Sequence, residues 1–243
     1  TIGGCDTVEL AKEYGTPLYV LDENTIRTTC RSYVESFKKF YNGNGMPLYA
    51  SKALSCKELC RIANEEHLGL DVVSGGEIYT AQQAGFPMEK THFHGNNKTA
   101  AEIEFALNAG VGTFVVDNLY ELELLNEIAG KLGKKAKISF RIKPGVDSKF
   151  GFALESGEAF EAVKKALKYE NVNLAELHCH IGSQIFDIDP FVTAAEIMMD
   201  FIGKIKDELG VTISNLNLGG GFGIMYVNSD EPVPYENYME KVS

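Results

Sequence analysis

The chain has 243 residues, 44% of them hydrophobic, enough to bury one large core in a single α/β domain. Its 23 basic and 34 acidic residues leave a net charge of −11, which argues against nucleic acid or an anionic membrane surface as partner but allows a local anion pocket. No apolar run reaches the length of a membrane span, no basic segment precedes an apolar core at the N-terminus, and five scattered cysteines suggest no disulfide framework, so a cytoplasmic protein with reduced thiols is expected.

In chain order, a short helix over Val8 to Tyr14 ends at Gly15, and Pro17 to Leu21 read as a strand. Asp22 then caps a helix from Glu23 to Tyr41, whose apolar residues Ile26, Cys30, Tyr33, Val34, Phe37 and Phe40 recur at threes and fours. The turn at Asn42 to Gly45 releases the strand Met46 to Ala50. Further strand-like runs follow at Leu70 to Val73, His92 to His94, Thr113 to Val116, Ile138 to Ile142, Leu174 to Ile181 and Leu216 to Leu218. Helical patterns separate nearly all of them, at Cys56 to Glu66, Glu77 to Ala84, Ala100 to Ala109, Leu119 to Leu132, Glu158 to Tyr169 and Phe191 to Leu209. Strands that alternate with helices pair in parallel through right-handed crossovers.

Seven such units start from Met46. A doubly wound sheet would be complete with these, whereas an eight-unit barrel needs one more strand beyond Ser243. The strand ends favour the barrel, because polar or glycine residues recur at the carboxyl end of nearly every strand, where a barrel gathers its site. A doubly wound sheet would concentrate them at one switch point.

Lys52 follows the first of these strands. There an ammonium that is partly desolvated gives up its proton more easily and becomes an amine able to attack a carbonyl; a solvated loop lysine is the plain alternative. Gly219, Gly220 and Gly221 leave the last strand without a Cβ to block approach, which suits either a phosphate held by backbone N–H groups or a tight turn. On the sixth strand His178 and His180 point the same way, with His180 nearer the site and placed to lie against an aromatic ligand, and His178 deeper in the core. Two histidines without a third ligand or a carboxylate do not make a zinc centre, so no metal site is expected. His92 and His94 divide likewise, with only His94 reaching the pocket. Cys56 and Cys60 read as small buried apolar groups. Arg141 interrupts an apolar strand and needs a partner, for which Asp71 is the natural buried carboxylate, with Lys52 as its other candidate cation.

Six stretches together carry a resemblance: Tyr-Ala-Ser-Lys-Ala at 49–53, Asp-Val-Val-Ser-Gly-Gly-Glu at 71–77, His-Gly-Asn-Asn-Lys at 94–98, Lys-Phe-Gly-Phe at 149–152, His-Cys-His-Ile-Gly-Ser-Gln at 178–184 and Leu-Gly-Gly-Gly-Phe-Gly at 218–223. In this order they resemble the diaminopimelate decarboxylase family, fold-type III enzymes that use pyridoxal 5'-phosphate. The resemblance implies a (β/α)8 TIM-type barrel, alanine racemase-like, with residues 1–45 as a lead-in strand and helix and residues 46–243 as the cofactor-binding barrel. It further implies that Lys52 bonds covalently to the cofactor, that Asp71 and His94 lie near it, that His180 stacks on its ring, that Arg141 supports the ring site, and that Ser183 with Gly219, Gly220 and Gly221 holds its phosphate. The implied reaction is decarboxylation of meso-2,6-diaminopimelate to L-lysine and CO2 by a homodimer with shared sites. A related decarboxylase of arginine, ornithine or a carboxylated polyamine, or a non-catalytic pyridoxal-phosphate-binding barrel, is the alternative.

Two departures from the family pattern stand out. Asp147 runs directly into Ser148 and Lys149, where the family has a longer segment. The family's Glu-Pro-Gly-Arg motif, final strand and C-terminal β domain are expected beyond Ser243, and a chain that ended there would be an open barrel with little or no activity.

Overall fold

The computed structural model describes residues 1–145 and 150–243; the junction from Asp147 to Lys149 lies outside the described residues. Two helices lead in, α1 (Thr7–Tyr14) and α2 (Glu23–Tyr41), capped by the side chains of Asp6 and Asp22, each of which accepts two backbone N–H groups. Between the helices, residues 17–21 form no strand, contrary to the sequence expectation. Their apolar residues suit a strand, but no neighbouring edge among the described residues supplies a ladder, and Leu18, Tyr19 and Leu21 stay exposed.

Eight strands form one sheet, all parallel: β1 (Leu48–Ala50), β2 (Gly69–Val72), β3 (Thr91–Phe93), β4 (Thr113–Val116), β5 (Ala136–Lys143), β6 (Phe152–Ala153), β7 (Val172–Cys179) and β8 (Asn215–Asn217). Their order is β1-β2-β3-β4-β5-β7-β8, with the two-residue β6 added beside the end of β5. Sequential order without a reversal is barrel winding, and a doubly wound sheet is excluded. Among the described residues no ladder joins β1 to β8, so the sheet is curled but open.

Helices α3 (Lys57–Glu65), α4 (Gly75–Gln83), α5 (Ala100–Ala109), α6 (Leu119–Lys131), α7 (Glu158–Ala166) and α8 (Asp189–Leu209) alternate with the strands, and α9 (Tyr235–Val242) packs on α2 and α8. The helix-side residues of the strands, including Leu70, Val72, Phe93, Phe114, Val116, Ile138, Phe140, Ile142, Leu177 and Cys179, are buried and form the main core with the helices. Each such side chain contributes about 1.5–3 kcal/mol by leaving water.

The intervening residues face the other side of the sheet, and many of them are polar: Asp71, His92, Ser139, Arg141, Glu176, His178 and Asn217. Barrel interiors are ordinarily filled by branched apolar side chains. The pairing of β5 with β7 slips once, from Ile138↔Leu174 to Ser139↔Glu176, which leaves Ala175 as an extra residue and brings Arg141 beside His178.

Candidate active site

Lys52 lies in a 3-10 turn, Ser51–Ala53, directly after β1. The turn is tied down on its buried side. Ser51 is almost fully buried, and its Oγ lies 2.9 Å from the Asp71 carbonyl and 3.0 Å from Glu77 Oε2, which also accepts the Val73 N–H at 2.6 Å. Lys52 itself is exposed, so the desolvation expected from its place on the strand is not present. A turn that leaves the sheet with its neighbour turned inward puts the lysine on the open face.

Asp71 pairs with neither Arg141 nor Lys52. Its Oδ1 lies 3.2 Å from His94 Nε2, because both side chains rise from adjacent strands on the same side of the sheet. Burial pushes the Asp71 carboxyl up, yet His94, His92 and His178 together outweigh it and hold the group below its ordinary value. His94 meets His178 edge to face, with ring centroids 4.9 Å apart. Burial, with the charge of His94, keeps His178 well below the ordinary histidine range, so it is a neutral ring at pH 7. His180, just past β7, is also held low by burial and then by the positive charges of Arg141 and Lys52. The Arg141 guanidinium lies 5.4 Å from the centroid of the Phe150 ring. One layer below, His92 Nε2 and Glu176 Oε2 are 3.1 Å apart, both buried, so His92 is a core residue as expected.

The glycines after β8 form a shaped turn. Gly219 and Gly221 have φ of 75° and 104°, and a Cβ would lie 2.5 Å from the Cys179 carbonyl oxygen at Gly219 and 1.9 Å from that of Gly182 at Gly221. The Gly219 N–H already donates to Asn217 Oδ1 at 2.8 Å. Among the described residues the amides of Gly220 and Gly221 have no protein acceptor, so these two, rather than all three, are available to an anion. Ser183 is exposed in the facing loop.

Several supporting residues were not singled out from the sequence. Lys98 is buried and donates to the carbonyls of Gly95 and Val115 and to Glu121 Oε1, each at 2.7 Å, which pins the loop that follows His94. Burial lowers Lys98 and raises Glu121, and their mutual attraction opposes both shifts. Glu77, Glu102 and Glu121 occupy the third position of α4, α5 and α6 behind the capping residues Ser74, Thr99 and Asn118. Each also reaches the preceding unit: Glu77 approaches Ser51, Glu102 accepts the Gly75 N–H, and Glu121 takes Lys98. The signal was a cap residue followed three positions later by glutamate, repeated in three successive units.

A barrel-wound sheet that carries a lysine at one strand end, a histidine and carboxylate cluster at the centre and a glycine cradle at the far side defines a cofactor-binding α/β domain of lysine chemistry. The family model described as pyridoxal-dependent decarboxylase, pyridoxal binding domain, matches residues 23–243, and the chain belongs to this family. The diaminopimelate decarboxylase of Halalkalibacterium halodurans is 49% identical over 99% of this chain and 58% of its own length, and that of Bacillus subtilis is 44% identical over the same shares. The solved structure of diaminopimelate decarboxylase from M. jannaschii in complex with L-lysine matches with a TM-score of 0.92 at 39% identity, over 98% of this chain and 58% of that one. The chain thus spans somewhat less than three fifths of the relatives it matches.

The residues present fit pyridoxal 5'-phosphate. Two glycine amides are free in a loop where an added Cβ would collide with backbone, Ser183 is exposed in the neighbouring loop, and Lys52 offers an exposed amine. His178 Nδ1 is a buried polar atom without a hydrogen bond among the described residues. Among those residues no helix is long and apolar enough to cross a membrane, and all five cysteines are free thiols.

Proposed function

We propose that this chain is the cofactor-binding part of a decarboxylase that converts meso-2,6-diaminopimelate to L-lysine and CO2 in the cytoplasm. The observation that carries the reading is the pair of free amides in the glycine cradle, whose loop is bridged at Phe222 to the segment that follows His180, in a sheet whose first strand ends at an exposed Lys52. Supporting it are relatives named diaminopimelate decarboxylase at 40–49% identity, and diaminopimelate decarboxylases solved with L-lysine bound at 39% and 31% identity.

When bound, pyridoxal 5'-phosphate supplies an electron sink conjugated to the α-carbon of an amino acid, which lets the α-carboxylate leave as CO2. The protein contributes placement and charge. Lys52 Nζ would hold the cofactor covalently. His180 is a half-buried ring held neutral enough to lie flat against an aromatic system. Asp71, kept ionised by its histidine neighbours, provides a fixed negative charge, and Arg141 a positive one. Gly220, Gly221 and Ser183 would donate to the phosphate, while Gly219 keeps the turn shaped through Asn217. In the same reading residues 46–243 are the barrel, residues 1–45 pack on it, and the active unit is a homodimer with shared sites, as the motif resemblance implies.

A product assay with the cofactor-loaded protein tests this. L-lysine and CO2 should form from meso-2,6-diaminopimelate and not amines from ornithine or arginine. Turnover of ornithine or arginine alone would shift the protein to the related decarboxylases, and cofactor binding without turnover of any of the three would favour a non-catalytic barrel.

A further inference from the structure

Beside the glycine cradle the backbone of one residue is out of place for its type. Gln184 has φ 59°, in the left-handed region that favours glycine. A side chain held there persists only where its surroundings over-determine it, and such residues cluster at functional sites. Gln184 is over-determined through its amide: Nε2 donates to the Ile224 carbonyl at 2.6 Å, and Oε1 accepts the Ile224 N–H at 3.0 Å. Next to it the backbone makes the same pair of contacts, with Ile185 N–H to the Gly221 carbonyl at 2.9 Å and Gly223 N–H to the Ile185 carbonyl at 2.7 Å. The side-chain amide therefore adds one rung to the short parallel bridge between Ile185 and Phe222.

These bonds hold the cradle from one side only. The Phe222 side chain turns away into an aromatic cluster, stacked on Phe191 at 4.8 Å and set against Tyr235 and Tyr238 at 5.0 and 4.7 Å. Tyr238 Oη, on α9, donates to the Ile185 carbonyl at 3.2 Å. The aromatic cluster secures where the loop sits, but rings are poor at fixing how peptide planes turn. That orientation is set by hydrogen bonds to the planes themselves, from Asn217 at the start of the loop and from Ile185 and Gln184 at its end.

We propose that Gln184 is a positioning residue for the phosphate of the cofactor: its bidentate grip on Ile224 orients the loop so that the Gly220 and Gly221 amides converge on one anion. The inference rests on reading that loop as the phosphate side of the site. Gln184→Gly removes the grip and relieves the left-handed backbone at once, so the fold is not put at risk. Equilibrium binding of pyridoxal 5'-phosphate and of pyridoxal, which lacks the phosphate, is then measured for both proteins, with thermal unfolding as a check on folding.

In the unaltered protein the phosphate form should bind more tightly. In the variant pyridoxal should bind within about twofold of its original affinity, while pyridoxal 5'-phosphate should weaken about tenfold, which is the loss expected when charge-assisted hydrogen bonds lose their alignment. A variant that keeps the original preference would overturn the role of Gln184 and leave the phosphate reading standing. Equal weakening of both ligands would reduce Gln184 to a structural residue. No preference in the unaltered protein would remove the phosphate reading itself.

Discussion

His178 lies under the site with His94 edge-on at 4.9 Å, and on its strand it is the register partner of Arg141. Burial, then His94 and Arg141, disfavour its protonation, while Asp71 and a hydrogen bond donated by the ring to Asn217 only partly oppose them. The unfolded chain takes up a proton at this ring below about pH 6.5, and the folded chain does so only at much lower pH. Stability is therefore full above pH 6.5 and falls as the solution is acidified, by up to about 1.4 kcal/mol per pH unit for one such group. Thermal unfolding between pH 7.5 and 5 should show this fall, with a shallower slope in His178→Gln; equal slopes would mean that the ring takes its proton in the fold. At this scale the sequence revealed which residues gather, and not whom each one touches. Four of the five histidines stand at two strand ends, and of these His94 and His178 meet edge to face, a contact that the sequence did not foresee. Asp71, however, turned to His94 rather than to a cation, because that choice depends on the angle between neighbouring strands. Lys52 proved exposed because the 3-10 turn after β1 carries it outward, and a turn of three residues leaves no periodic signal.

Helix α2 docks on the end of α3 through two arginines, Arg27 and Arg31. Arg27 Nη1 lies 2.9 Å from Glu66 Oε1 and Arg31 Nε 2.7 Å from Glu66 Oε2, and the two guanidinium groups, Arg31 first, hold the Glu66 carboxyl down at about 2. A carboxylate lowered in the fold stabilises it above its unfolded value of about 4.5 and loses that contribution as the pH falls toward 2. Because Arg31 is largely exposed, solvent screens much of the attraction. Glu66→Gln should lower Tm at pH 7 by about 2–4 °C and flatten the acid limb between pH 4.5 and 2. An unchanged acid limb would mean the pairs are solvated bystanders. Most helices and strands were legible to within two or three residues, since alternation of apolar runs with helical stripes needs no tertiary information. Strand β6 was not, being two residues long, nor was α9, whose length is only eight residues. Residues 17–21 failed in the opposite way: strand propensity was present, but pairing is supplied by a neighbour and not by the segment itself.

On the scale of the molecule, strand order decided between two topologies that the count of units had left open, and the polar recurrence at strand ends had already pointed to the answer. The sheet-side polar residues turn what is usually an apolar barrel interior into a column of polar groups, from Glu176 and His92 up to Asp71 and His94. Such a column is costly without use, and its Asp71 is the register partner of Ala50, two residues before Lys52. The central claim is that Lys52 is the attachment point, and its most direct test is borohydride reduction of the protein with pyridoxal 5'-phosphate, followed by peptide mapping. One reduced cofactor per chain should be found on the peptide that contains Lys52, and Lys52→Ala should carry none. An adduct on another lysine, or none at all in the unaltered protein, would contradict the account.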